Sequence, residues 1–501
     1  MPNYPHFSDY EPITRAKGLR ESNADVEEGW AGVQPNSEKS APPSVGHSSE
    51  VRRQNDVDKE PAKSGAKGTT LLPAEKWLAK KGHSITFLGL LLFTFMVFFR
   101  PYEWTPSLAW LSSSAFFIAL FTLAVFIPAQ LGLEGTLTSR PREVNLVLLL
   151  LLMAALSVPF ATDRLKAWNA FIEYIKVVLM FIVMVNVMRT EKRLKATIFV
   201  ILIASCVLSI FALRDFEAGN LALRGQRIEG AIGGLFQNPN DLALHLVTTI
   251  PITLALLLSS RLIVMKALYA AFLALFVVGI VMTFSRGGFL GLTVAIAVFT
   301  WRLPRRNKLL IPILVCPLLI AVVLLAPGGY GSRLSTTNDD SAAARTDELK
   351  RSLYIAARHP LLGVGIENYV LYSNFDHATH NAYTQVASET GLAAAVFYIL
   401  FLITPIKRLR MIAAETGSEP RRPRYFYWAV GLEASLIGYM VSSFFASVAF
   451  LWYAYYLVAY SICVRRLYSK ERTALTTKLQ ETSSNRNSTY SLPGIKTDLA
   501  V

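Results

Sequence analysis

Along the 501 residues, apolar positions come in solid runs of about 16 to 22 rather than at helical or strand spacing. Runs of that length cross the hydrocarbon core of a bilayer, where only helices satisfy their own backbone one segment at a time. The pattern predicts an all-α polytopic membrane protein of about 12 transmembrane helices. They fall at 84–99, 107–128, 144–160, 168–187, 195–213, 240–258, 263–284, 286–302, 309–326, 389–405, 427–446 and 448–464. Residues 1–80 are rich in Ser, Pro, Gly, Asn and mixed charge, with few aliphatics, and 469–501 reads the same way. Such segments bury too little apolar surface to offset their ordering entropy, so both are expected to be disordered tails around a membrane domain at 81–468.

Charge orients the helices. The net charge is +15, and most of the surplus lies in alternate short loops: Lys80 and Lys81, Arg140 and Arg142, Arg189 to Lys195, Arg261 and Lys266, Arg302 to Lys308, Lys407 to Arg424, and Arg465 with Arg466. With an even span count all of these share one side. The positive-inside rule makes that side cytoplasmic, with both termini inside. The distribution also argues against nucleic acid as a partner. Cys206, Cys316 and Cys463 lie in separate apolar runs, so no disulfide framework and no metal-thiolate site are expected.

The other side holds short links and two larger segments, at about 214–239 and 327–388. The second is the longest connection between spans. It contains a predicted helix, "ARTDELKRSLYIAARHP", with Leu349, Leu353, Ala356 and Ala357 at helical spacing, ended by Pro360 and suited to lying on a membrane surface.

Nearly all unusual polar residues fall on this outer side. Arg224 and Arg227 lie in "LALRGQRIEG"; Asn238, Asn240, Asp241 and His245 lie in "GLFQNPNDLALHL"; Arg286 lies in "TFSRGGFLGL". Arg345 begins the loop helix, and His377 and His380 close the loop. Each has a plain structural reading. Arg286 suits a snorkelling interface arginine, "NPND" a capped helix start, Asp241 and His245 a mutually satisfied pair one turn apart, and Thr379 or Asn381 an N-cap. Convergence favours chemistry. "SRGG" puts Arg286 at a helix N-terminus, whose N–H groups and partial positive charge attract anions. The guanidinium fork fits phosphate oxygens, and the glycines would let a ligand approach the backbone. His380 offers a group that takes a proton near neutral pH. Asn381, Gln385 and Glu389, at i, i+4 and i+8, predict a polar stripe facing a cavity or other helices. These features point to group transfer from a lipid phosphate carrier. Glu173 and Lys176 read as an internal ion pair, and Glu433 has no sequence explanation. Glu433 sustains the alternative of a transporter or flippase for lipid-linked sugars or small anions. No Walker-type loop and no metal-ligand spacing occur, so neither a nucleotide nor a metal cofactor is expected.

The stretches "GLFQNPNDLA", "FSRGGFLGL", "ARTDELKRSLYIAARHPLLGVGIENY" and "HNAYTQVASETGL", in that order, resemble the bacterial O-antigen ligase and O-antigen polymerase superfamily across about residues 140–460. "RPYEWTPSL" at 100–108 further resembles a subgroup of exosortase-associated O-glycosylation ligases. The resemblance implies a GT-C-like glycosyltransferase of the bacterial inner membrane. It would take glycan from an undecaprenyl-pyrophosphate carrier to a hydroxyl acceptor on a glycan, lipid or protein, in the periplasm, with no cofactor. By motif, Arg286 and Arg224 or Arg227 would bind pyrophosphate, Arg345 would contact the donor or order the loop, and His380 would assist the acceptor hydroxyl; Asn240, Asn381, Gln385 and Glu389 are candidate substrate-binding residues.

Overall fold

The computed structural model describes residues 73–219, 221–222, 227–228, 236, 238–304, 340–373, 378–417 and 423–489. Long helices make up nearly all of it: α1 (Pro73–Phe99), the one-turn α2 (Pro101–Trp104), α3 (Ser114–Glu134), α4 (Arg142–Ser157), α5 (Arg164–Val187), α6 (Glu191–Glu217) and α7 (Pro239–Ser259). They continue with α8 (Ile263–Met282), α9 (Arg286–Arg302), α10 (Asp340–Arg358), α11 (Ala382–Thr390), α12 (Leu392–Gly417), α13 (Pro423–Ser442) and α14 (Trp452–Thr489). Leu221–Ala222 and Arg227–Ile228 form a minimal antiparallel pair with Ala222 opposite Arg227.

Among the described residues, nine helical segments are long and apolar enough to cross a membrane. Two more predicted spans are also helical, as α9 and the first part of α14. The predicted span at 309–326 lies outside the described residues. The fold class expected from the apolar runs is therefore observed.

Three boundaries differ from expectation. The predicted tail from 469 onward is helical to Thr489 in continuation of α14, because "KERTALTTKLQET" is polar yet rich in helix formers. At the other terminus α1 already begins at Pro73. The predicted span from 389 is split: α11 ends at Thr390, and Gly391, at φ +96°, breaks the chain before α12.

The buried centre is built by α7 and α13, with α9 and α12 beside them, whereas α3 and α8 leave most of their surface outward. Small residues allow the close approach. A Cβ on Gly431 of α13 would lie 2.6 Å from the Ala255 Cβ of α7, and one on Gly438 would lie 2.9 Å from the Ala295 Cβ of α9. In lipid, where apolar contact alone gives helices no reason to associate, such packing is a main source of cohesion.

The basic end of the bundle is held by ion pairs. Glu143, fully buried at the start of α4, takes both guanidinium nitrogens of Arg465, at 2.7 and 3.2 Å. Glu134 pairs with Arg189 at 2.6 Å, Glu415 with Arg472 at 2.9 Å, and Arg424 bridges Glu191 and Glu471 at 3.1 and 2.6 Å. Glu433 is also accounted for: its Oε1 accepts from Arg302 at 2.9 Å and Arg410 at 2.7 Å. At the opposite end Glu173 and Lys176 do pair, at 2.5 Å, but on the exposed surface of α5 rather than internally.

Candidate functional site

At the opposite end, the starts of α7, α9 and α11 are held by hydroxyls, amides and backbone groups. Asn238 caps α7 by accepting from the Asn240 N–H at 2.9 Å, with Pro239 in the first helical position, as "NPND" predicts. Ser285 caps α9: its Oγ accepts from the Gly288 N–H at 3.2 Å and donates to Asn240 Oδ1 at 2.9 Å. The start of α9 is thereby tied to the start of α7, and Arg286, exposed, is the first residue of α9.

The glycines after Arg286 serve a different purpose from the one expected. A Cβ on Gly287 would lie 2.8 Å from the Phe445 Cβ, one on Gly288 2.5 Å from the Ala243 Cβ, and one on Gly291 1.9 Å from Ser442 Oγ. These glycines let α9 sink against α7 and α13. The space their side chains would take is occupied by Phe445, Ala243 and Ser442.

His380 lies in the turn before α11, half-buried, with φ +50°. Few side chains other than Asn, Asp and His adopt this left-handed region, and it is strained. Neighbours on both sides hold it. Thr379 Oγ1 meets Ser447 Oγ at 2.9 Å, and Asn381 caps α11 by accepting from Tyr383 N at 2.9 Å and Thr384 N at 3.1 Å. Tyr383 OH donates to the Met440 carbonyl at 2.8 Å, and the Ala449 N–H donates to Gln385 Oε1 at 3.3 Å.

One short segment therefore seats both candidate groups. Residues 440–449, leading from α13 through the single 3₁₀ turn Ser443–Phe445, contact the Arg286 helix start through Ser442 and Phe445. They contact the His380 turn through Met440, Ser447 and Ala449. The sequence reading missed Tyr383, Ser442, Ser443 and Ser447, because "VSSFFASVAF" lies where two apolar runs meet. Its three serines within an otherwise apolar stretch were the available signal.

The predicted stripe of Asn381, Gln385 and Glu389 divides into three roles. Asn381 turns its amide back on the helix as a cap, and Gln385 accepts from Ala449. Glu389 is 3% exposed and lies beneath the glycine turn of "PLLGVGIENY". Val364 N and Gly365 N donate to the Ser388 and Glu389 carbonyls, both at 2.9 Å, and Leu392 N donates to the Pro360 carbonyl at 2.8 Å. Gly363, at φ +64°, is so close that a Cβ would lie 2.4 Å from the Glu389 carbonyl carbon. Burial, with a smaller contribution from the Glu367 charge, pushes the Glu389 carboxyl up to about 8, against the lowering effects of a hydrogen bond from the Glu367 backbone, of Lys166 and of Gln385. The same turn reaches the link between α4 and α5: Asp163 N donates to Asn368 Oδ1 at 2.7 Å, and Thr162 Oγ1 meets Tyr372 OH at 2.7 Å.

Arg345 is half-buried on α10, one turn before Glu348. One side of α10 is buried in the protein, and of the apolar set Leu349, Leu353, Ala356 and Ala357 only Ala356 is among its fully buried residues. It carries Glu348, Arg351, Ser352, Ile355 and Ala356, while Leu353 faces out. Glu348 accepts from Tyr369 OH and from Ser373 Oγ, and Arg351 donates to the Tyr372 carbonyl at 2.7 Å, so polar pairing docks this helix. Asp241 and His245 do not form the expected pair through Nε2: His245 turns inward to Ser205 Oγ at 2.9 Å, among Phe98, Phe236 and Tyr453. It lines a cavity within the bundle with Phe98, Ile201, Thr249, Tyr453 and Tyr460. Arg224 and His377 lie outside the described residues, and of Arg227 only the backbone pairing is described.

No curated protein matches the chain. Residues 270–399 match the family model described as O-antigen ligase, a range that takes in Arg286, Arg345, His380, Asn381, Gln385 and Glu389 and leaves Arg224, Arg227 and Asn240 outside. This match, within a multi-pass membrane protein, supports the O-antigen ligase superfamily and a membrane enzyme that attaches glycans.

Proposed function

We propose that this protein transfers a glycan from a polyprenyl-pyrophosphate carrier, undecaprenyl pyrophosphate in bacteria, to an acceptor hydroxyl at the end bearing Arg286 and His380. The observation that carries the reading is the shared seat of these two groups on residues 440–449. Arg286 at the α9 N-terminus suits a diphosphate, since guanidinium and helix dipole act together there. Charge grows on the leaving pyrophosphate as the sugar departs, so that interaction is stronger in the transition state than in the ground state. His380 would accept the proton of the attacking hydroxyl as the new glycosidic bond forms, and direct displacement would invert the anomeric carbon. Arg345 would reach the donor from α10, and Asn240, through Ser285, would hold the α9 start in place. The side bearing Lys and Arg would be cytoplasmic, placing transfer in the periplasm. The transporter alternative drew on Glu433, whose pairing with Arg302 and Arg410 now gives it a structural role.

The test is transfer from a lipid-pyrophosphate glycan by reconstituted protein. Arg286→Ala and His380→Gly variants that insert normally should each lose transfer. Wild-type transfer in both would overturn the assignment, as would movement of substrate across liposomes without a new glycosidic bond.

A further inference from the structure

The outward side of α10 has no function in the transfer reading, yet its exposure pattern is ordered. Leu353 is 53% exposed and Tyr354 42%; Ala357, Arg358 and Leu361 follow, all exposed, with Leu361 at 79%. Toward the N-terminal end the exposed residues are Ala343 and Ala344, then Thr346, Asp347 and Lys350. The exposed surface of the helix therefore gains large apolar residues as it approaches Pro360.

Pro360 is where this segment meets a membrane-spanning helix. Its carbonyl accepts from the N–H of Leu392, the first residue of α12, at 2.8 Å. From Leu392 onward α12 shows Val396 and Leu400 outward at i+4 and i+8, the lipid-facing stripe of a spanning helix. Leu361 is thus held at the level where that stripe begins. The exposed apolar side of α10 continues it along the membrane surface, with Arg358 positioned to snorkel and Tyr354 of the type that favours the headgroup zone.

We propose that the outward side of α10 is a lipid-contacting surface. Leu353, Tyr354 and Leu361 rest at the acyl boundary of the leaflet on this side, and Arg358 contacts lipid phosphates. Asp347 and Lys350 stand in water. The helix that bears Arg345 is then seated on the bilayer itself, at a height set by Leu361 and α12. The inference requires only that α12 spans the membrane, so it stands or falls independently of the transfer reading.

Nitroxide labels test it in the full chain, with Cys206, Cys316 and Cys463 replaced by Ala. Labels are placed singly through Asp347→Cys, Leu353→Cys, Ala357→Cys and Leu361→Cys, with Val396→Cys as the lipid reference, in phosphatidylethanolamine and phosphatidylglycerol vesicles. Accessibility is read with oxygen, which concentrates in lipid, and a nickel chelate, which stays in water. Labels at 353, 357 and 361 should favour oxygen, approaching the value at 396, and the label at 347 should favour nickel. Equal nickel accessibility at all four α10 sites would overturn the proposal, since the helix would stand clear of the membrane. Shielding of 353 and 361 from both reagents would overturn it as well, showing that protein covers the surface.

Discussion

The two ends of the bundle are built from different interactions. At the basic end, Arg302 from the end of α9, Arg410 and Arg465 from within α12 and α14, and Arg189 from the link after α5 meet buried or half-buried glutamates: Arg302 and Arg410 on Glu433, Arg465 on Glu143, Arg189 on Glu134. At the opposite end, contacts described around the Arg286 helix start and the His380 turn include neutral ones: Ser285 on Asn240, Thr379 on Ser447, Tyr383 on Met440, and backbone donors on the Ser388 and Glu389 carbonyls. Charge closes one end, and hydroxyls and close glycine packing shape the other. The difference teaches that an arginine count alone does not locate chemistry here.

Variants can break this contrast. The largest effect is expected for Arg286→Ala, a loss of transfer of about 10²–10³-fold, the range for removing one donor to a developing anion. Arg286→Lys should recover little, because an ammonium cannot replace the bidentate fork. Next comes His380. At φ +50° glycine is the one residue that relieves strain, so His380→Gly should be folded at least as well as His380→Ala by thermal unfolding. Both should lose transfer by roughly 10²-fold or more if the imidazole moves a proton. Stable protein without activity separates chemistry from fold at that position. Gly363→Ala tests the clamp at the same end: its Cβ would enter the Glu389 backbone, so folded yield should fall sharply, with transfer falling only in proportion.

At the basic end the prediction reverses. Glu433→Gln leaves Arg302 and Arg410 without their shared carboxylate, so thermal stability should drop, while transfer per folded molecule should stay near wild type. A selective loss of transfer there would dissolve the contrast between the ends.

The smallest effect concerns pH. Glu389 is pushed up to about 8, so between its unfolded value of about 4.3 and 8 the folded protein holds a proton that the unfolded chain has lost. Stability should therefore fall as pH rises through that window and level off above it. Glu389→Gln, neutral at every pH, should flatten the slope of unfolding temperature between about pH 5 and 8. An unchanged slope would show that Glu389 is not the group responsible.

Much of this was legible in the sequence. Solid apolar runs predicted the helices, "NPND" the capped start of α7, and Glu173 with Lys176 their ion pair, because each is set by local spacing. What failed depends on partners distant in sequence. Whether Gly287 and Gly291 face a ligand or a helix is decided by Phe445 and Ser442, about 150 positions away. Glu433 looked anomalous until α9 and α12 each supplied an arginine. The break at Gly391 was hidden because Glu389 to Leu402 reads as one continuous run, and only the contact of Pro360 and Leu361 with the start of α12 explains the turn. The seat on residues 440–449 was invisible for the same reason: its serines mean little until Thr379 and Gly287 are beside them.

The most direct test of the central claim compares Arg286→Ala and His380→Gly with wild type in one reconstituted assay, following a new glycosidic bond formed from a lipid-pyrophosphate donor. The account predicts that both variants insert and unfold as the wild type does or better, and that both lose transfer by about 10²-fold or more. Transfer at wild-type rates in either variant would contradict it, because the two groups that residues 440–449 bring together would then not act as one site.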